Sequence, residues 1–270
     1  MVELREARKI ASSSGLGLQY VLKEARVFDI WGRLSPLIMS EKVKSKAIIV
    51  SKGGTALNKI YLPGVQRFSE DLDFDAFFKG ITERSRKIEF LQSELMAALA
   101  KDYDVQKPRM MRQIVRFTCS FLNEMGKKDS IFVEFNLQAP KVGRIVVKEA
   151  HSQLWGTTAR VPVYSFEALV AKKLKTFYER ETGKDMYDIC RSLEGKPDTE
   201  MRRIIRVLRR VLNAEGIKYS EFVSGVSKAL EDEKLIARVH ASSNPYIPRT
   251  LRIGWKQAAD NIRKKLIPYL

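Results

Sequence analysis

Two glycines and an alternating pair of acids are the residues in this chain whose types and spacing can do chemistry. Gly53-Gly54 stands between a continuous apolar run, Ala47-Ile48-Ile49-Val50, and a short helical pattern from Thr55 to Tyr61. Glycine lets a backbone approach a ligand closely, and the first N–H groups of a helix have no intrahelical partner, so a turn of this kind can cradle an anion or phosphate. Asp71 and Asp73 then fall at i and i+2 of an alternating segment, Leu72-Asp73-Phe74-Asp75. In a strand that spacing puts two carboxylates on one face, about 7 Å apart, which suits one or two divalent cations. Such a pair on its own is also what a solvated strand face looks like. The neighbouring Gly-Gly and Arg67, with Leu72 and Phe74 as apolar flanks, favour the metal reading. Glu134 is a third carboxylate, set between Val133 and Phe135. An acid without a partner there is costly. It either joins the first two or pairs across strands with Arg112 or Arg116.

These residues need a frame. The first 45 residues carry a rough helical stripe of Leu22, Val27, Phe28, Trp31 and Leu34. The run at 47–50 predicts a buried strand entering a tight turn. Ile88, Leu91, Leu95, Met96 and Leu99 recur at helical spacing within 82–101. Alternation from Met111 to Phe121 and from Ile131 to Leu137, around the polar turn 125–129, predicts an antiparallel hairpin that a strand near 144–148 extends. From Ser165, placed as an N-cap, the pattern becomes wholly helical: 166–180, 185–193, a two-faced 201–212, 220–241 and 255–266. The expected organisation is an α/β part over residues 1–160 and a helical part over 161–270.

Composition narrows the partners. Lys and Arg number 49 against 32 Asp and Glu, a net charge of +17, which favours a phosphate-bearing partner: nucleic acid or an anionic membrane. Arg202, Arg203, Arg206, Arg209 and Arg210 crowd one face of a single predicted helix. Cys119 and Cys190, like His151 and His240, are isolated, which excludes a disulfide framework, zinc chemistry of the usual kind and a His-based triad. No apolar run nears the roughly 18 residues of a membrane span, and the charged start lacks a signal-peptide core. The expectation is a cytoplasmic protein whose metal, if it uses one, sits on carboxylates.

Gly53-Gly54-Thr55-Ala56-Leu57 with Arg67-x-Ser69-x-Asp71-Leu72-Asp73-Phe74 resembles the AbiEii/AbiGii toxin family of nucleotidyltransferases, within the DNA polymerase β-type superfamily. Downstream, Glu167-x-Leu169-x-Ala171-x-Lys173-Leu174, then Arg180, then Asp185-x-Tyr187-Asp188 is similar to that family's helical motif. Two positions depart from it. Lys184 stands where an arginine is common, and Lys172 where an acid is usual, so two lysines lie side by side. The resemblance implies an α+β fold: a nucleotidyltransferase-type mixed sheet with flanking helices, followed by an α-helical C-terminal domain. It implies Mg²⁺ on Asp71 and Asp73, with an NTP as substrate. Gly53, Gly54 and Thr55 would cradle its phosphates, with Arg67, Ser69, Arg180 and Asp188 as further nucleotide-binding positions. Glu134 would be a candidate base. Lys173 and Arg180, seven residues apart on one helix face, would grip the triphosphate or stabilise the charge leaving with pyrophosphate. Asp185, counted with the catalytic residues, and Asp188 would cap the second helix or orient those cations. The expected acceptor is an RNA, the acceptor end of tRNA foremost, and a cognate antitoxin protein is the implied partner. A basic nucleic-acid-binding protein without catalysis and a metal-dependent nuclease are the alternatives.

Overall fold

The N-terminal apolar stripe folds as three helices, α1 (Leu4–Ser14), α2 (Leu18–Ile38) and α3 (Glu41–Lys46), in a computed structural model that describes residues 2–270. Next come β1 (Ala47–Lys52), α4 (Gly53–Tyr61), β2 (Asp71–Phe78) and α5 (Arg84–Leu99). The strands β3 (Asp104–Val105), β4 (Arg109–Met111), β5 (Ile114–Leu122), β6 (Lys128–Asn136), β7 (Ile145–His151) and β8 (Thr158–Tyr164) follow. The chain closes with α6 (Phe166–Arg180), α7 (Gly183–Leu193), α8 (Asp198–Ala214), α9 (Tyr219–Glu231), α10 (Glu233–Ser243) and α11 (Trp255–Leu266). The fold is mixed α+β, as expected.

One sheet holds the strands in the order β3-β5-β6-β2-β1-β8-β7, with β4 paired to β5. β2 runs antiparallel to β1 and parallel to β6, and β1 runs parallel to β8. β5 and β6 form the predicted hairpin. The strand near 144–148 does not extend it. β7 instead pairs antiparallel with β8 at the opposite edge, because the chain crosses the sheet after Asn136. The change from strand to helix falls at Ser165, so a boundary at 160 would cut through β8. The main hydrophobic core, moreover, runs from α2 through the sheet into α11, with a smaller cluster between α1 and the start of α2. The helix expected over 220–241 is two helices that meet at Asp232, whose carboxylate accepts the N–H groups of Lys234 and Leu235 and caps the second.

The two sheet faces have different tasks. Leu72, Phe74 and Ala76 of β2 are buried in the core, where Phe74 stacks on Phe135 with ring centroids 5.2 Å apart. On that face the Trp31 indole of α2 donates to the Ser51 hydroxyl. The alternate residues Asp71, Asp73 and Asp75 face the other way, and Lys172 of α6 reaches Asp75 there. The sheet thus shields its apolar side with α2 and presents a charged side toward α6.

Candidate active site

Register builds the site before any side chain is considered. Lys52 lies opposite Asp73, Asp73 opposite Glu134, and Glu134 opposite Arg116, so four charged side chains form one row across four strands. The order along that row is cation, acid, acid, cation. Arg116 Nε donates to Glu134 Oε1 at 2.6 Å, so the cross-strand pair foreseen as one alternative for Glu134 is formed. Glu134 is nevertheless next to Asp73 in the sheet.

Asp71 and Asp73 differ from the other acids here: among the described residues, no cation lies within salt-bridge reach of either and no donor reaches either carboxylate. Burial, with the charges of Asp73, Glu70 and Glu134, pushes Asp71 up to about 7. Burial also raises Asp73; Lys52 opposes that shift and Glu134 adds to it. Two crowded, partly desolvated carboxylates without a partner are a donor set that fits a divalent cation. Among the described residues, no three His, Cys, Asp or Glu side chains converge as a complete ligand set. A two-carboxylate platform is what Mg²⁺ uses when substrate phosphates and water supply its remaining ligands.

Beside this pair lies the glycine turn. Gly53 has φ +75°, and a Cβ on it would collide with the Asp73 carboxylate, so only glycine fits. At Gly54 a Cβ would lie 2.5 Å from an Arg67 nitrogen. The guanidinium packed there is committed elsewhere: Arg67 is buried, with Nε 2.8 Å from Asp188 Oδ1 and Nη2 2.7 Å from Oδ2. Arg67 therefore fastens the loop before β2 to α7. Thr55 is likewise occupied, its buried hydroxyl lying 2.7 Å from that of Ser69 and donating to the Asp71 carbonyl. Thr55 and Ser69 brace the start of β2, which leaves Gly53 with its neighbouring backbone beside the acids.

The helical motif forms a buried ion cluster. Lys173 Nζ sits 2.9 Å from Asp185 Oδ1 and 3.0 Å from Asp188 Oδ2, with both acids fully buried. Asp188 also accepts from Asn58 of α4 at 2.8 Å. Asp185 takes Arg180 Nε at 2.8 Å and the Thr182 hydroxyl at 2.6 Å. Burial alone would raise both acids; the charges of Lys173 and Arg67, with Arg180, hold them below the usual carboxylate range. The cap of α7 is Thr182, not either aspartate, and Ser165 precedes α6 without a side-chain cap bond. Lys173 is thus enclosed rather than open to a ligand, whereas the Arg180 side chain is 57% exposed.

Lys172, its neighbour, is the lysine on the charged sheet face. Its Nζ is 3.4 Å from Asp75 Oδ2 and 4.5 Å from the centre of the Tyr164 ring. Lys52 Nζ lies 2.6 Å from Asp75 Oδ1, and the Tyr164 hydroxyl donates to Oδ2 at 2.7 Å. Asp75 is buried, and Lys52 and Lys172 bring it down against that burial. Sequence reasoning passed over Lys52, Asp75 and Tyr164. The available signal was the alternation that placed Asp75 on the Asp71 and Asp73 face, and the position of Lys52 directly before the glycine turn.

The description "Nucleotidyl transferase AbiEii toxin, Type IV TA system" belongs to the family model that matches residues 41–268. Among solved structures, the chain is similar to MenT4, a nucleotidyltransferase toxin of Mycobacterium tuberculosis H37Rv. The TM-score is 0.66 at 19% identity, over 96% of this chain and 88% of that one. This likeness shows a shared fold. An antigenic nucleotidyltransferase-like protein from Paracoccidioides brasiliensis matches at a TM-score of 0.42 and 16% identity, over 72% of this chain and 91% of that one. A comparison with curated protein sequences returns no significant match.

Proposed function

Because the chain belongs to the AbiEii nucleotidyltransferase toxin family of type IV toxin–antitoxin systems, we propose that it transfers a nucleoside monophosphate from an NTP to an RNA with Mg²⁺, the acceptor end of tRNA being the preferred target. The observation that carries this reading is the partnerless Asp71–Asp73 pair beside the Gly53 turn. Mg²⁺ held by these two acids would neutralise charge on the phosphates and lower the barrier to attack by a hydroxyl. The acceptor oxygen forms a bond to the α-phosphorus, the bond from that phosphorus to the bridging oxygen breaks, and pyrophosphate leaves with the electron pair. Glu134, adjacent to Asp73, would take the hydroxyl proton. Lys52 and Lys172, tethered to Asp75 but each about a fifth exposed, can lean toward the leaving phosphates. Arg180 has unused donors at the surface. Lys173, already between two acids, acts from behind by its field on Asp73 and by fixing Asp185 and Asp188. Phosphoryl-type transfer asks mainly for such positioning and charge. The family also implies a cognate antitoxin.

Incubation with each labelled NTP, Mg²⁺ and total RNA tests the reading. Label on RNA is expected. Shortened RNA would make the protein a nuclease, and bound but unchanged RNA a non-catalytic binder.

A further inference from the structure

We infer that a cationic trough between β7 and α8 holds the sugar–phosphate backbone of the RNA acceptor, an inference that rests on the transfer reading above. Arg144, directly before β7, and Lys148 within it lie four residues apart in an extended run, which puts them on one face. Arg203, Arg206 and Arg210 recur at helical spacing, which puts them on one face of α8. Together these five side chains line a groove of about 430 Å³ in which Glu167 is the single acid.

All five are exposed. Among the described residues none has a carboxylate within 4.0 Å, although cations elsewhere on the surface, such as Lys42, Lys175 and Lys218, are paired. Like charges left facing one another repel, so the arrangement favours a polyanion between its walls. Lysine on an edge strand also discourages strand pairing, but that accounts for Lys148 and not for the row on α8. Between the walls lie Tyr61 and Phe166, with ring centroids 5.6 Å apart. Cationic walls beside aromatic rings suit a chain that alternates phosphates with flat bases better than they suit an acidic peptide. The groove is also close to the chemistry. Phe166 opens α6, and Lys173 lies seven residues along it, about 10 Å. Tyr164, two residues before that helix, holds Asp75.

The test measures binding of a labelled single-stranded RNA oligonucleotide as a function of salt. Three variants are compared with the wild type. One combines Arg144→Gln and Lys148→Gln, the second combines Arg203→Gln, Arg206→Gln and Arg210→Gln, and the third, on α11, combines Lys256→Gln, Lys264→Gln and Lys265→Gln. The α11 variant removes as much charge as the α8 variant from exposed positions outside the groove. Each lost phosphate contact should flatten the log–log salt slope by about 0.7. The β7 variant should therefore lose roughly 1.4 units of slope and the α8 variant roughly 2, while the α11 control stays near the wild type and NTP affinity is unchanged in all. The β7 pair keeps the test intact if the α8 variant folds poorly. Wild-type binding with groove and control variants alike would overturn the trough and leave the transfer reading standing. No RNA binding by the wild type, with polyglutamate bound instead, would overturn both.

Discussion

At the scale of single residues, the site is defined by which charges have partners. Among the described residues Asp71 and Asp73 have none; Asp75, Asp185 and Asp188 have two or more each. Asp73→Asn should lower transfer roughly a hundredfold or more, since removing a metal ligand removes several kcal/mol of charge stabilisation, and labelled-NTP turnover checks it. Asp71→Asn carries a second readout. An acid raised to about 7 in the folded protein, against about 4 unfolded, destabilises the metal-free fold increasingly as pH rises between those values. The variant should thus melt close to the wild type at pH 4 and above it at pH 8. Added Mg²⁺ should raise the melting temperature of the wild type alone. The adjacent lysines should separate in another way. Lys173→Ala removes the buried cation that Asp185 and Asp188 share, leaving them Arg180 and Arg67, and should cost about 1.5–3 kcal/mol of stability. Lys172→Ala leaves Asp75 with Lys52 and Tyr164, so denaturant midpoints should barely move while turnover falls.

At the scale of elements, the strand–turn–helix from β1 through α4 governs how Asp73 is presented. Gly53→Ala would place a methyl group against the Asp73 carboxylate in a left-handed backbone conformation. The backbone alone should cost about 1–2 kcal/mol. A melting temperature lower by a few degrees, with turnover close to that of Asp73→Asn, is the expected result. This element was legible in the sequence, because an apolar run, two glycines and an alternating acid pair are all local signals. Most helices were legible for the same reason, and Trp255–Leu266 matches its predicted bounds, although the break at Asp232 within 220–241 went unread. What failed was long-range. Alternation marks β7 as a strand but carries no information on whether it joins β5 and β6 or crosses to β8. Nor does local sequence show that Arg67, beside the acids, is held by Asp188, 121 positions later. Lys173 and Lys172 were separable only by what folds around each: α7 behind one and β2 before the other.

At the scale of the whole molecule, the region matched by the family begins at residue 41, yet the helices before it belong to the same body. Glu24 of α2 is fully buried, accepts from the Ser152 hydroxyl at 2.6 Å and lies 2.7 Å from Lys59 Nζ, which is itself buried in α4. Burial lowers Lys59 and Glu24 opposes that. Removing one member of such a pair costs about 3–5 kcal/mol, a large part of a typical domain's stability of about 5–15 kcal/mol. Glu24→Ala should therefore melt well below the wild type, and a protein lacking residues 1–40 should be recovered in the insoluble fraction. The parallel pairing of Ser51 with Val163 bears on synthesis as well. A ribosome adding about 5–20 residues each second needs roughly 6–22 s to pass from the first of these residues to the second. Throughout that interval one edge of β1 has no strand to pair with, and Arg67 still awaits Asp188. A nascent chain stalled or released late in that window carries Asp71 and Asp73 but neither β8 nor α7, so the proposed transfer would begin only after Asp188 has been translated.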